Sequence, residues 1–322
     1  MFLFSYFRTE SEALHLAISE DGFTFDSVNG NRPVLEGTAN TRTLRDPFLI
    51  QAEKGVFHLL ATDGWGSTSI IHARSDDLIS WSAQTVLPVM ADVPDTRNSW
   101  APEAFYDKEG GLYRLIWSST VSAVLPEKVK DHRIWACETK DFQTFSESHL
   151  FFDPGYNVID ATVAPLGDAY LMGFKDERGE NRKGTEYKAL RTAMSLRGIG
   201  PFESVSDLIS PSLVEGPTLY QKDGLWILLY DHFHDHHYGA SLSEDGREWQ
   251  VSEVEVILPE DPRHGSVIEI DDDVADGGIK EHRFVNEKSL MTLQISTMFH
   301  EFWQNSRILA KFTKFRRFFT KF

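Results

Sequence analysis

The chain has 322 residues, 41% of them hydrophobic and 12% aromatic, which is enough to bury a sizeable core and too apolar for a disordered polymer. Its formal net charge is −17, and six Lys/Arg with no acid crowd into residues 302–322, so the remainder is more acidic still. Such a body repels nucleic acid and anionic membrane surfaces, and a neutral partner suits it better than an anionic one.

The single cysteine, Cys137, excludes an intrachain disulfide and is expected to be a buried small hydrophobe. No run reaches the length of a transmembrane helix, and residues 1–7 lack the basic start and small-residue cleavage site of a signal peptide. On those grounds the expected location is cytoplasmic, or secreted or periplasmic if a leader has been removed. Nothing in the sequence sets the oligomeric state.

Residues 1–44 hold two apolar runs, 1–7 and 14–19, and then Ser19-Glu20-Asp21-Gly22-Phe23-Thr24-Phe25, a polar turn leading into a strand. The turn returns at Asp77, Asp141 and Asp245, each time with an aromatic four residues on: Phe25, Trp81, Phe145, Trp249. A fourth copy, at Ser195–Phe202, has lost its Asp.

A second repeat runs through Arg45-Asp46-Pro47, Trp100-Ala101-Pro102-Glu103, Ile159-Asp160-Ala161 and Glu215-Gly216-Pro217. Its acids, at 46, 103, 160 and 215, are 57, 57 and 55 residues apart. Each run reads as a buried strand with a bend, and each is followed by an aromatic-rich strand at 55–61, 111–118, 168–174 and 224–230. A unit of acidic strand, aromatic strand, Ala-containing strand, Asp turn and outer strand is how a β-propeller blade reads.

The first turn has no acidic strand before it, and residues 263–270 look like an inner strand with no blade of their own. The two should combine. The expected fold is all-β: a five-bladed β-propeller over residues 1–270, closed by its N- and C-terminal strands. A short non-propeller tail follows at 271–322, acidic first and then helical or disordered.

In a propeller the first strand of every blade lines the central channel, so Asp46, Glu103, Asp160, Glu215 and His264 should face one funnel. Buried acids are costly unless paired or used in chemistry, and two carboxylates across a sugar are what glycosidic cleavage needs. One donates a proton to the leaving oxygen and the other activates water.

At these residues the sequence resembles glycoside hydrolase family 43, the five-bladed arabinofuranosidases, xylosidases and arabinanases. The likeness rests on Arg45-Asp46-Pro47, Ile159-Asp160 and Glu215-Gly216-Pro217, and covers roughly residues 1–270. It implies Asp46 as general base, Asp160 as the group that tunes the donor and orients the sugar, and Glu215 as general acid. Trp100 resembles the aromatic wall of the sugar pocket, with core packing the alternative. Glu103 stands where the family often has an acid, for support or substrate contact, and Arg45 adjoins the base.

His264 resembles an axial histidine beside a water or metal ion, with a purely structural role equally open. His237 is the candidate for sugar contact from the His232–His237 cluster, whose spacing fits no metal ligand set. The resemblance implies no required cofactor, and allows a structural calcium or sodium ion on the axis.

The implied activity is inverting, exo-acting hydrolysis of furanosides or pentosides in a neutral oligosaccharide or polysaccharide-derived substrate. α-L-Arabinofuranosidase or β-D-galactofuranosidase comes first and β-xylosidase next, with 14–22 and 60–64 resembling a furanoside-active branch. The reading from another class is a non-catalytic propeller that binds glycan or protein. A retaining fructosidase would carry Asn-Asp-Pro-Asn in the first motif, and a mannoside phosphorylase a basic cluster for phosphate; neither is visible. Ala161 and Thr162 stand where the family usually has a proline after Asp160, and the tail after residue 270 matches no recognised family segment.

Overall fold

The computed structural model describes residues 1–53, 55–275 and 279. In chain order, the first strands are β1 (Phe2–Arg8), β2 (Ser11–Ser19) and β3 (Asp26–Ser27). The second blade is β4 (Arg45–Glu53), β5 (Val56–Thr62), β6 (Ile70–Ser75) and β7 (Thr85–Leu87). The third is β8 (Trp100–Asp107), β9 (Leu112–Thr120), β10 (His132–Thr139) and β11 (His149–Phe152). The fourth holds β12 (Val158–Leu166), β13 (Ala169–Asp176) and β14 (Ala189–Ser195), and the fifth β15 (Glu215–Lys222), β16 (Leu225–His232), β17 (His237–Ser243) and β18 (Gln250–Val251).

The last strand, β19 (Pro262–Glu269), lies antiparallel on β1 with Phe2 opposite Glu269 and Ser5 opposite Ser266, giving the first sheet the order β19-β1-β2-β3. The expected closure by the two ends is therefore observed. The inner strands β4, β8, β12, β15 and β19 neighbour one another in a closed ring, so the inner edge of each sheet faces the axis and is shielded from pairing with another chain.

Apolar side chains fill the spaces between blades. Leu3, Leu16, Leu49 and Leu59 join the first blade to the second, Phe105, Ile116 and Phe174 the third to the fourth, and Phe4, Tyr220 and Ile227 the fifth to the first. Each such side chain contributes roughly 1.5–3 kcal/mol by leaving water.

The Asp turns hold as expected. In each, one carboxylate oxygen accepts the backbone N–H groups two and three residues on: Asp21 from Phe23 and Thr24, Asp77 from Ile79 and Ser80, Asp141 from Gln143 and Thr144, Asp245 from Arg247 and Glu248. The copy without an Asp belongs to the fourth blade, whose sheet has three strands where the other four have four. There the 203–209 segment bonds to β14 only at intervals, through Glu203, Ser206 and Ile209.

One backbone irregularity recurs at the same height on every inner strand. Pairing slips by one residue between Arg45 and Phe48, Trp100 and Glu103, Ile159 and Thr162, Glu215 and Thr218, and, on the first sheet, between Arg263 and Ser266. Each slip is a β-bulge, which bends the strand and re-aims its side chains. The residue that enters the bulge is left-handed in four of the five: Asp46 (φ 48°), Ala101 (47°), Asp160 (55°) and Gly216 (57°). His264 takes the fifth place. The structural repeat thus aligns Asp46 with Ala101, Asp160, Gly216 and His264, which corrects the alignment of acids read from sequence: Glu103 falls two residues late and Glu215 one residue early.

Of the tail expected at 271–322, residues 271–275 are described and include a short helix at Asp272–Val274; beyond them all but Ile279 lies outside the described residues. Among the described residues no helix is long and apolar enough to cross a membrane.

Candidate active site

The bulges converge on a small cavity of about 80 Å³ at one end of the axis, lined by Arg45, Asp46, Thr62, Trp65, Trp100, Ile159, Asp160, Glu215 and His264. Arg45, Trp100, Ile159 and Glu215 are the residues just before four bulges, and Asp46, Asp160 and His264 are residues inside them. A buried hydroxyl on the neighbouring blade steadies several of these turns. Thr62 Oγ1 accepts the Ala101 N–H at 2.7 Å, Ser118 Oγ accepts the Asp160 N–H at 3.0 Å, and Ser5 donates to the Pro47 carbonyl at 2.8 Å.

His264 sits among the carboxylates, its Nδ1 3.4 Å from Asp46 Oδ1 and 3.8 Å from Asp160 Oδ2. Asp160 also accepts the Gly216 N–H at 3.1 Å. Burial raises the Asp160 pKa to about 6; the nearby Glu215 and Asp46 add to the rise, and His264 and Lys175 oppose it.

Glu215 is treated differently. Lys175, opposite Ile159 on β13, places Nζ 3.0 Å from Glu215 Oε2, and Arg263 places a guanidinium nitrogen 3.3 Å from Oε1. Burial pushes the Glu215 carboxyl up, but Lys175, His264 and Arg263 outweigh it and hold it below the usual carboxylate range. Arg263 also binds Asp231 Oδ2 at 2.9 Å, and burial drives Asp231 up to about 6 despite that partner.

The aromatic wall has two members. Trp100 and Trp65 meet edge to face at 5.4 Å, and Trp100 Nε1 donates to the Trp65 carbonyl at 3.0 Å. Trp65 rides on a loop fixed by Asp63, which accepts from the Thr41 amide and from the Thr41 and Ser67 hydroxyls. Arg45 lies 4.4 Å over the Trp65 ring and 2.6 Å from Glu12, and Lys130 lies 4.1 Å over Trp100.

Of the residues singled out from sequence, the structure brings Arg45, Asp46, Trp100, Asp160, Glu215 and His264 together in the cavity wall. Glu103 is not among them. It is buried past the bulge against Thr162, and burial, reinforced by the Asp160 charge, raises its pKa well above normal in spite of the Thr162 hydrogen bond. His237 is also outside: it is exposed and stacks on His232 with ring centroids 4.1 Å apart.

Sequence reasoning missed Trp65, Thr62, Lys175, Arg263 and Asp231. The Gly64-Trp65 pair after a strand was the one available signal, since a tryptophan in a turn is 63% exposed here. Among the described residues no group of three or more His, Cys, Asp or Glu is arranged to hold a metal ion.

A larger groove, about 830 Å³, runs along the outer rim past Met194, Leu196 and Trp249. It gathers no buried carboxylates, whereas the axial cavity does, and the axial cavity is therefore the candidate site.

A five-bladed propeller whose axial cavity presents three carboxylates and two tryptophans belongs to the class built to hold a sugar between acids. Comparison with known proteins agrees: residues 1–276 match the family model described as a probable glycosyl hydrolase domain, related to glycoside hydrolase family 43, and the chain belongs to that family. An α-L-arabinofuranosidase of Bifidobacterium longum subsp. longum is 29% identical over 185 residues, 49% of this chain and 17% of that protein. The chain thus spans about a sixth of that relative's length.

Among solved structures, a thermostable family-43 glycoside hydrolase superposes with a TM-score of 0.54 at 16% identity, covering 66% of this chain and 73% of its own. A xylan β-1,4-xylosidase from Bacillus halodurans C-125 superposes with a TM-score of 0.59 at 17% identity, covering 75% and 48%. At those identities the likeness speaks for the fold.

Proposed function

We propose that the chain is an inverting, exo-acting glycosidase on furanoside or pentoside linkages, α-L-arabinofuranosidase or β-D-galactofuranosidase first and β-xylosidase next. The observation that carries this is the convergence of Asp46, Asp160 and Glu215 on one small cavity walled by Trp65 and Trp100. The confinement of the axial cavity, about 80 Å³, leaves little room for an internal stretch of chain, which supports exo action.

In this reading Asp46 is the general base that activates water, and Glu215 is the general acid that protonates the leaving oxygen. Asp160 holds the strand of Glu215 through the Gly216 amide and keeps a negative charge near it. The tryptophans present apolar ring surface to the sugar's C–H faces, and Arg45 and His264 supply donors to its hydroxyls. The protein's acidity favours a neutral glycan as the partner.

The non-catalytic glycan-binding propeller is supported by one observation: Lys175 and Arg263 engage both oxygens of Glu215, and a carboxylate so held donates no proton. A panel of nitrophenyl α-L-arabinofuranosides, β-D-galactofuranosides and β-D-xylosides separates the two. Turnover of at least one, lost in Asp46→Asn, is expected; binding of sugars with no hydrolysis across the panel would favour the binder.

A further inference from the structure

Lys175 is the most deeply buried lysine beside the cavity, 2% exposed, and it stands between two carboxylates. Its Nζ lies 3.0 Å from Glu215 and 2.5 Å from Glu177, and 4.6 Å over the Phe233 ring. Glu177 in turn pairs with Lys188, at the far end of the exposed 178–187 loop. A line of alternating charge therefore runs from the cavity wall to the surface.

Leaving Lys175 and Glu177 paired while Glu215 turns neutral strands no charge, because each keeps a partner of opposite sign. Losing Lys175 altogether would leave Glu215 with Arg263 as its cation, and Arg263 is shared with Asp231. We propose that Lys175 is a positioning residue with two partners, holding Glu215 ionised before substrate binds and keeping Glu177 alone once Glu215 takes up the proton it will donate. The proton is one that the buried Glu215/Asp160 pair binds from solvent. This rests on the reading of Glu215 as proton donor.

The groups that face Glu215 fix the direction of the effect. Lys175 on β13 and Arg263 and His264 on β19 favour its charged form, whereas Asp160 on β12, Asp231 on β16 and, through Lys175, Glu177 oppose it. Removing a cation raises the proton affinity of Glu215, and removing an anion lowers it.

The test compares Lys175→Met with Glu177→Gln, because a merely structural role would not move them in opposite directions. In kcat/KM against pH, the basic limb, where the donor loses its proton, is expected to shift up by about 1–3 pH units in Lys175→Met. In Glu177→Gln it is expected to shift down. The carboxyl carbon of Glu215, followed by NMR through a pH titration of the free protein, should follow the limb in each variant, its midpoint rising in Lys175→Met and falling in Glu177→Gln.

Limbs and NMR midpoints that stay at the wild-type pH, or move the same way in both variants, overturn the proposal. If Lys175→Met does not fold, the downward shift in Glu177→Gln decides. If the wild type hydrolyses nothing, the hydrolase reading fails, and the NMR titration alone supports or overturns the two-partner role of Lys175.

Discussion

Gly216 and His264 meet across two blades so closely that a Cβ on Gly216 would stand 2.7 Å from the imidazole ring carbons. Gly216 is also left-handed, at φ 57°, and its N–H binds Asp160. Glycine is required there twice over, by conformation and by space. Gly216→Ala is expected to cost about 1–3 kcal/mol of stability and to displace the ring that touches Asp46 and Asp160. Chemical denaturation with an activity assay checks it; an unchanged midpoint with unchanged turnover would show that the contact matters to neither.

Much of this was legible in the residues. The Asp turns, the five blades and their closure by 263–270 followed from spacing, because short polar turns and alternating strands leave a periodic trace. The bulge register did not. Asp, Ala and Gly all occupy the same left-handed position, so the 57-residue rhythm of the acids aligned Glu103 with residues that it does not match in space. The proline after the bulge residue, at 47, 102 and 217, was the truer marker. Lys175 was hidden in an aromatic strand, since no local pattern says that a lysine's partner arrives from 40 residues further on.

The roles proposed for Glu215 and Asp46 separate by leaving group. Glu215→Gln should lower turnover of a poor leaving group by roughly 10²–10⁴-fold and spare a good one more. Asp46→Asn should abolish both, because water loses its base whatever departs. Steady-state rates on an alkyl and a dinitrophenyl glycoside read the difference, and equal losses on both substrates in both variants would contradict the assignment.

The pH dependence follows from the buried pair. Asp160 is raised to about 6 while Glu215 is held below the usual carboxylate range, so the pair binds its first proton near pH 6 and titrates as a unit. In Asp160→Asn that first proton must go to Glu215 itself, at lower pH. The basic limb of kcat/KM is therefore expected to move down, and a limb that moved up would reverse the proposed coupling.

Closure carries stability. β1 contributes Leu3, Phe4, Tyr6 and Phe7, all at most 1% exposed, and is held between β2 and β19. Deleting residues 1–9 should leave β19 without its partner and expose apolar blade faces. Loss of the cooperative thermal transition, with aggregation, is the expected outcome; a soluble protein with a wild-type melt would mean that the ring stands without this strand.

The most direct test is to follow hydrolysis of the best substrate by proton NMR from the first minutes, before the product mutarotates. The first anomeric signal to appear is expected to belong to the configuration opposite to the substrate's, as for a base and an acid roughly 6.5–9.5 Å apart with water between them. First product with the substrate's own configuration would contradict it and make Asp46 a nucleophile.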